Sequence, residues 1–131
     1  MTAFCTYCSA EKNHAPGDLP AIKRYLSQRI RSVYATALSA GIPFFILSGE
    51  FGLLEPCDPI PDYEHLLVQS EVNIHAELVA GQFQDFGVKG FVFFTVPVSQ
   101  DPNVAPYIEC MKAACERAGV EMSIVEISGD G

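Results

Sequence analysis

The chain has 131 residues, 49% of them hydrophobic and 18% charged, with a formal net charge of −8. That length suits a single domain whose core needs neither metal nor disulfide support, and the composition excludes a disordered tail. The charge disfavours a broad nucleic-acid surface, because phosphate affinity comes from clustered Lys and Arg that release counterions.

The charge is unevenly spread. Up to residue 43, Lys12, Lys23, Arg24, Arg29 and Arg31 outnumber Glu11 and Asp18, and acids dominate from there on. A basic patch on one helix and an ordinary solvated face both fit this pattern. The opening residues lack the basic region and apolar core of a secretory leader, and no apolar run approaches the roughly 18 residues of a membrane span. A cytoplasmic location away from membranes is therefore expected. Five cysteines, an odd number, point to free thiols.

In chain order, residues 3–7 are short, apolar and rich in strand formers, and they predict a first strand ending at Cys8 and Ser9. Apolar residues then recur at helical spacing from Leu19 to Ala37, which predicts one long helix over residues 18–41, capped by Asp18 with Pro20 in its first turn. Lys23, Arg24 and Arg31 fall mostly off its apolar stripe. The continuous apolar run at 42–48 reads as a strand buried on both faces. A second helix is predicted at 71–86, with His75 on its apolar side, where a satisfied, partly buried histidine is expected. Residues 90–98 repeat the buried-strand pattern, Asp101 and Asn103 offer a cap to a helix ended by Gly119, and 120–127 alternate as a last strand near a sheet edge. This order implies right-handed crossovers and a three-layer α/β/α domain around a mostly parallel four-stranded sheet. The one long connection is at 55–70, where a functional or mobile loop is expected.

In such sheets ligands bind beyond the carboxyl ends of the strands, where neighbouring crossovers leave towards opposite faces. Those ends carry Cys8, Ser9 and Lys12, then Ser48, Gly49, Glu50 and Gly52, then Thr95 and Pro97. Ser9 and Lys12 suit a phosphate or carboxylate, and equally a local turn with a solvated lysine. Gly49 suits close approach of the backbone to a ligand, and equally a positive φ angle. Tyr63 suits stacking on a bound base or anchoring of the loop. The glycines of a Walker A or dinucleotide-binding turn are absent, so no cofactor is expected.

Three further chemistries have weaker patterns. Cys5 and Cys8 have CxxC spacing, but residues three apart on a strand point to opposite faces, and Cys57, His14 and His65 would complete a zinc site only through folding. No metal site is expected. Glu50, Glu55, Asp58, Asp62 and Glu64 beside His65 suit a divalent cation or acid–base work, and also a solvated loop stiffened by Pro56, Pro59 and Pro61. Ser9 or Ser48 with His65 as base would make a hydrolase, without the supporting G-x-S-x-G turn.

The segments CSAEK (8–12), LSGEFGLL (47–54) and IPDYEHLL (60–67) together resemble a family of uncharacterised small bacterial α/β proteins. Its hallmarks are Cys-Ser-x-x-Lys after the first strand, Leu-Ser-Ala-Lys-Tyr-Gly-Leu after the second and a proline–tyrosine segment downstream. The family is distantly similar to the archaeosine synthase core, to YaaA-type proteins and to the uracil-DNA glycosylase-like fold. Cys8, Ser9, Lys12, Ser48, Gly52, Leu53, Pro61 and Tyr63 match its pattern. Gly49, Glu50 and Phe51 replace Ala-Lys-Tyr, which removes a basic side chain and a phenol. The resemblance implies a strand-end cleft for a nucleotide or nucleobase-like ligand, with nucleic-acid modification or glycosidic chemistry as its reaction classes. The alternatives are a non-enzymatic partner or homodimerisation module with a degenerate site, favoured by Glu50, and thirdly a divalent-metal hydrolase.

Overall fold

A computed structural model describes residues 1–128 of the chain. Its main elements are strand β1 (Thr2–Tyr7), the two-residue strand β2 (Leu19–Pro20), helices α1 (Ala21–Arg24) and α2 (Gln28–Ala40), and strands β3 (Phe44–Ser48), β4 (Gly52–Leu54) and β5 (Pro59–Ile60). Helix α3 (Val72–Phe86), strand β6 (Gly90–Thr95), helix α4 (Ala105–Ala118) and strand β7 (Glu121–Glu126) complete it, with single 3-10 turns leading into α3 and α4.

The main sheet has the order β4-β3-β1-β6-β7. Four strands are parallel, as the apolar runs predict, but the sheet has five, because β4 returns antiparallel on β3. Residues 48–51 make that reversal. The Ser48 hydroxyl accepts the N–H groups of Glu50 and Phe51 at 3.0 and 3.1 Å, and Gly52 adopts φ +76°, which a side chain would resist. Pairing of Leu47 with Leu53 then follows. The outer edge of β4 is covered by Gln82 of α3, whose Oε1 accepts the Leu53 N–H at 2.7 Å. A paired edge is closed to further strands.

Phe45, Phe83, Phe86 and Phe91 form one aromatic cluster beneath α3, with ring centroids 4.7 Å apart for Phe45–Phe86 and Phe83–Phe91. α2 lies against β1 and β3, burying Ile30, Val33 and Ala37, and α3 packs beside α4. At the far edge β7 is mostly exposed. No helix of the described residues is long and apolar enough to cross a membrane.

The single helix expected over 18–41 is broken. α1 has Pro20 at its N-cap, not Asp18, and lasts four residues. The backbone of residues 24–26 leaves helical geometry to pair with 11–13: the Asn13 N–H donates to the Arg24 carbonyl at 2.8 Å, and the Leu26 N–H to that of Glu11 at 3.0 Å. Ser27 then caps α2 by accepting the Ile30 N–H. Helical periodicity survives the break, so the sequence cannot reveal it. Arg24, expected off the apolar stripe, is fully buried. Its guanidinium donates to the carbonyls of Asn13, Ala15, Gly17 and Ile60, tying the loop after β1 to the segment after β4.

Candidate functional site

The crossover from β1 runs to β3 on one side and that from β6 runs to β7 on the other, so the strand order reverses between β1 and β6. A cleft of about 320 Å³ opens over the carboxyl end of β1 at this reversal. Tyr7, Cys8, Ser9, Glu11 and Lys12 line it from β1 and the following loop, and Leu26 and Arg29 from the start of α2. Glu64, His65 and Leu66 form one wall; Asp101, Asn103, Val104 and Tyr107, at the entry to α4, form another.

Its floor is aromatic and rigid. The Tyr7 and Tyr107 rings lie 5.9 Å apart, and the Arg29 guanidinium sits 3.6 Å from the Tyr7 ring centroid. Arg29 also donates to the carbonyls of Tyr7 and Cys8 at 2.7 and 3.2 Å and to the Thr6 hydroxyl, so it fastens α2 to the end of β1. Burial pulls the Arg29 pKa down from its ordinary value. The Tyr107 hydroxyl accepts the Leu67 N–H at 3.1 Å and lies 3.6 Å from the Cys8 thiol. Burial raises its pKa above the ordinary phenol value, so Tyr107 stays a neutral hydrogen-bonding group and not a base.

Of the residues expected to contact a ligand, Cys8, Ser9 and Lys12 line the cleft. Ser9 is not free for chemistry in this arrangement, since its hydroxyl donates to the Glu11 carbonyl at 2.8 Å and shapes the turn. Lys12 is buried along most of its side chain, and it lines the cleft. Ser48, Gly49, Glu50, Gly52 and Tyr63 do not line it. Ser48 is fully buried, and its hydroxyl shares a hydrogen bond of 2.8 Å with that of Tyr63, which is also hydrogen-bonded to Tyr25. Tyr63 thus anchors the loop, and its edge meets the Phe51 ring. Burial raises the pKa of both Tyr25 and Tyr63, which keeps this chain of hydroxyls neutral. Gly49 supports the wall through close approach: a Cβ there would lie 2.8 Å from the His65 carbonyl oxygen and 3.1 Å from the Leu67 nitrogen. Its φ is not positive.

The segment over 55–70 is tied down along its length. The carbonyls of Pro56 and Asp58 accept the Ile22 and Ala21 N–H groups, β5 pairs with β2, and Leu67 is buried. His65 completes the attachment, with Nδ1 2.8 Å from Glu50 and Nε2 3.0 Å from Glu71. These bonds, Glu50 first, raise the His65 pKa, and the His65 bond lowers that of Glu71. Carboxylates at both ring nitrogens favour the charged form of His65 and leave neither nitrogen open to a serine. A serine–histidine pair, which the sequence offered without its supporting turn, is not formed, and Glu50 serves as a partner of His65.

The latch has a pH signature. His65 holds its charge more firmly folded than unfolded, so its contribution is complete below the unfolded histidine value and disappears as pH rises through the raised folded value. Melting temperatures of the wild type and His65→Gln are expected to differ most near about pH 6 and to converge above about pH 8. A gap that stays constant across that range would remove the latch.

His75 matches its expectation: it is buried, with Nε2 2.7 Å from the Ser48 carbonyl oxygen. The CxxC pair is split, with Cys5 sealed in the core and Cys8 at the cleft. Burial raises the Cys5 thiol pKa and pushes those of Cys110 and Cys115 up to about 12 and about 11, so these are packing groups and not nucleophiles. Among the described residues no three His, Cys, Asp or Glu side chains are placed to share a metal ion. The cleft residues that sequence reasoning missed are Tyr7, Arg29, Asn103 and Tyr107. In the sequence Asp101 and Asn103 read only as a helix cap, Tyr7 only as part of a strand, Arg29 only as part of the charge balance and Tyr107 only as part of a helix. Comparisons of the chain with protein-family models, with curated proteins and with solved structures return no match.

Proposed function

We propose that the protein binds a nucleobase-like or nucleoside-like small molecule in the cleft over the end of β1. The observation that carries this reading is the cleft floor, where the Tyr7 and Tyr107 rings, tilted 35° to each other, place two aromatic side chains beside the amide of Asn103 and the carboxylate of Asp101. Flat rings suit a heterocycle, and an amide and a carboxylate suit the donors and acceptors along its edge. The volume of about 320 Å³ has room for a base with its sugar. Glu11, Glu64 and Asp101 around the opening disfavour a triphosphate.

The Cys8-Ser9…Lys12 and Ser48…Gly52…Tyr63 resemblance supports the same ligand class and extends the proposal to nucleic-acid modification or glycosidic chemistry. Titration calorimetry with the common nucleobases and nucleosides tests it. Binding is expected for at least one, and Asn103→Ala, an exposed position whose loss spares the core, is expected to weaken it about tenfold. No binding by any of them would end this reading. A homodimerisation module is the second reading, favoured by the free edge of β7 with Ile124 and Val125 exposed. Absence of ligand binding together with a dimer in sedimentation would favour it.

A further inference from the structure

We propose that the ligand of this cleft carries one compact oxyanion, a carboxylate or a phosphate monoester, and that Lys12 is the residue that binds it. The inference rests on the preceding reading of the cleft as a site for a planar ring. Lys12 lines the cleft and is only 6% exposed, with its backbone held by the bridge to Tyr25. Among the described residues its ammonium makes no hydrogen bond and no ion pair; its neighbours are the faces of the Tyr63 and Tyr25 rings, 4.7 and 5.9 Å away.

The other two buried cations are treated differently. Arg24 donates to four carbonyls, and Arg29 to two carbonyls and a hydroxyl. Both guanidinium groups are used in holding the fold, whereas the Lys12 ammonium holds nothing. Most of the Lys12 side chain is withdrawn from water, and contact with aromatic faces returns only part of that loss. Asp62 acts on Lys12 at longer range, but its carboxylate is bonded to His14 Nδ1 at 2.8 Å. An anion from outside the chain is the missing partner. One negative group meets Lys12, and a second or third would meet Glu11, Glu64 and Asp101.

Two kinds of molecule share this chemistry: a ring that bears a carboxylate directly, and a nucleoside monophosphate. Titration of the full chain with uracil, uridine, orotate, uridine monophosphate and uridine triphosphate, and with adenine, adenosine, adenosine monophosphate and adenosine triphosphate, separates them. Orotate or a monophosphate is expected to bind about tenfold or more tighter than its neutral counterpart, with the triphosphate weaker than the monophosphate. That advantage should shrink with added salt and vanish in Lys12→Met, so that anionic and neutral compounds bind the variant with equal affinity. A gain for orotate alone assigns the ring carboxylate, and a gain for a monophosphate alone assigns the phosphate ester. Anionic compounds no tighter than neutral ones on the wild type, or an advantage that survives in Lys12→Met, would overturn the role of Lys12 and leave ring binding standing. No binding by any compound would end both. If Lys12→Met does not fold, the wild-type ratio of anionic to neutral affinity decides.

Discussion

Arg24→Met is expected to destabilise the protein by about 3–5 kcal/mol, while Lys23→Met, one residue earlier, changes stability by less than about 0.5 kcal/mol. Both side chains are long and cationic, but their surroundings are opposite. Lys23 is exposed, and Arg24 is fully buried with its terminal nitrogens on the carbonyls of Asn13, Ala15, Gly17 and Ile60. Removing the guanidinium leaves those acceptors to find water, at about 1–3 kcal/mol for each that stays buried. Relief of the buried charge offsets part of this, which keeps the total below the simple sum. The melting temperature should fall on the order of 10 °C or more. Arg24→Lys is expected to resemble Met, because an ammonium cannot fork to four carbonyls. Denaturant midpoints measure all three variants, and equal midpoints for the two Met variants would show that the carbonyls are not held by Arg24.

The second large effect is at Gly49. Gly49→Ala is expected to cost about 1–3 kcal/mol, whereas Gly81→Ala is expected to stabilise by about 0.5–1 kcal/mol. A methyl at 49 meets the His65 carbonyl oxygen at 2.8 Å, the Tyr107 hydroxyl at 3.0 Å and the Leu67 nitrogen at 3.1 Å. Two of these three are backbone atoms of the cleft wall and cannot turn aside. The wall must move outward, which stretches the Leu67–Tyr107 bond and widens the cleft. Gly81, on the exposed side of α3, has nothing within 4 Å of the added carbon. Its replacement only removes chain entropy from the unfolded state. Thermal melts of both variants check the opposite signs, and a harmless Gly49→Ala would mean that the wall is not packed against β3.

Local features fixed much of the architecture. The runs at 44–48 and 90–95 are buried strands, because an apolar stretch without alternation suits only a sheet covered on both faces. The helices at 72–86 and 105–118 follow from apolar spacing and from the glycines at 87 and 119. Strand β4 was missed because three residues carry too little pattern, although the Ser48 to Gly52 turn holds its signal. The helix break at 25–27 left no signal, since it arises from pairing with residues 11–13.

For the site, the order of residues is enough to gather polar groups at the carboxyl ends of parallel strands, because strand direction is a local consequence of the order of elements. Cys8, Ser9 and Lys12 were found this way. Packing between distant segments is what spends Ser48 and Tyr63 on each other, gives His65 to two carboxylates and makes Tyr7, Arg29 and Tyr107 the floor. The physical reason is that hydrogen-bonding capacity is used up by whichever partners folding brings near, and those partners lie 15 to 40 residues away along the chain for Ser48–Tyr63 and Leu67–Tyr107. Residue type sets what a side chain can do, and its distant neighbours set whether it remains free to do it.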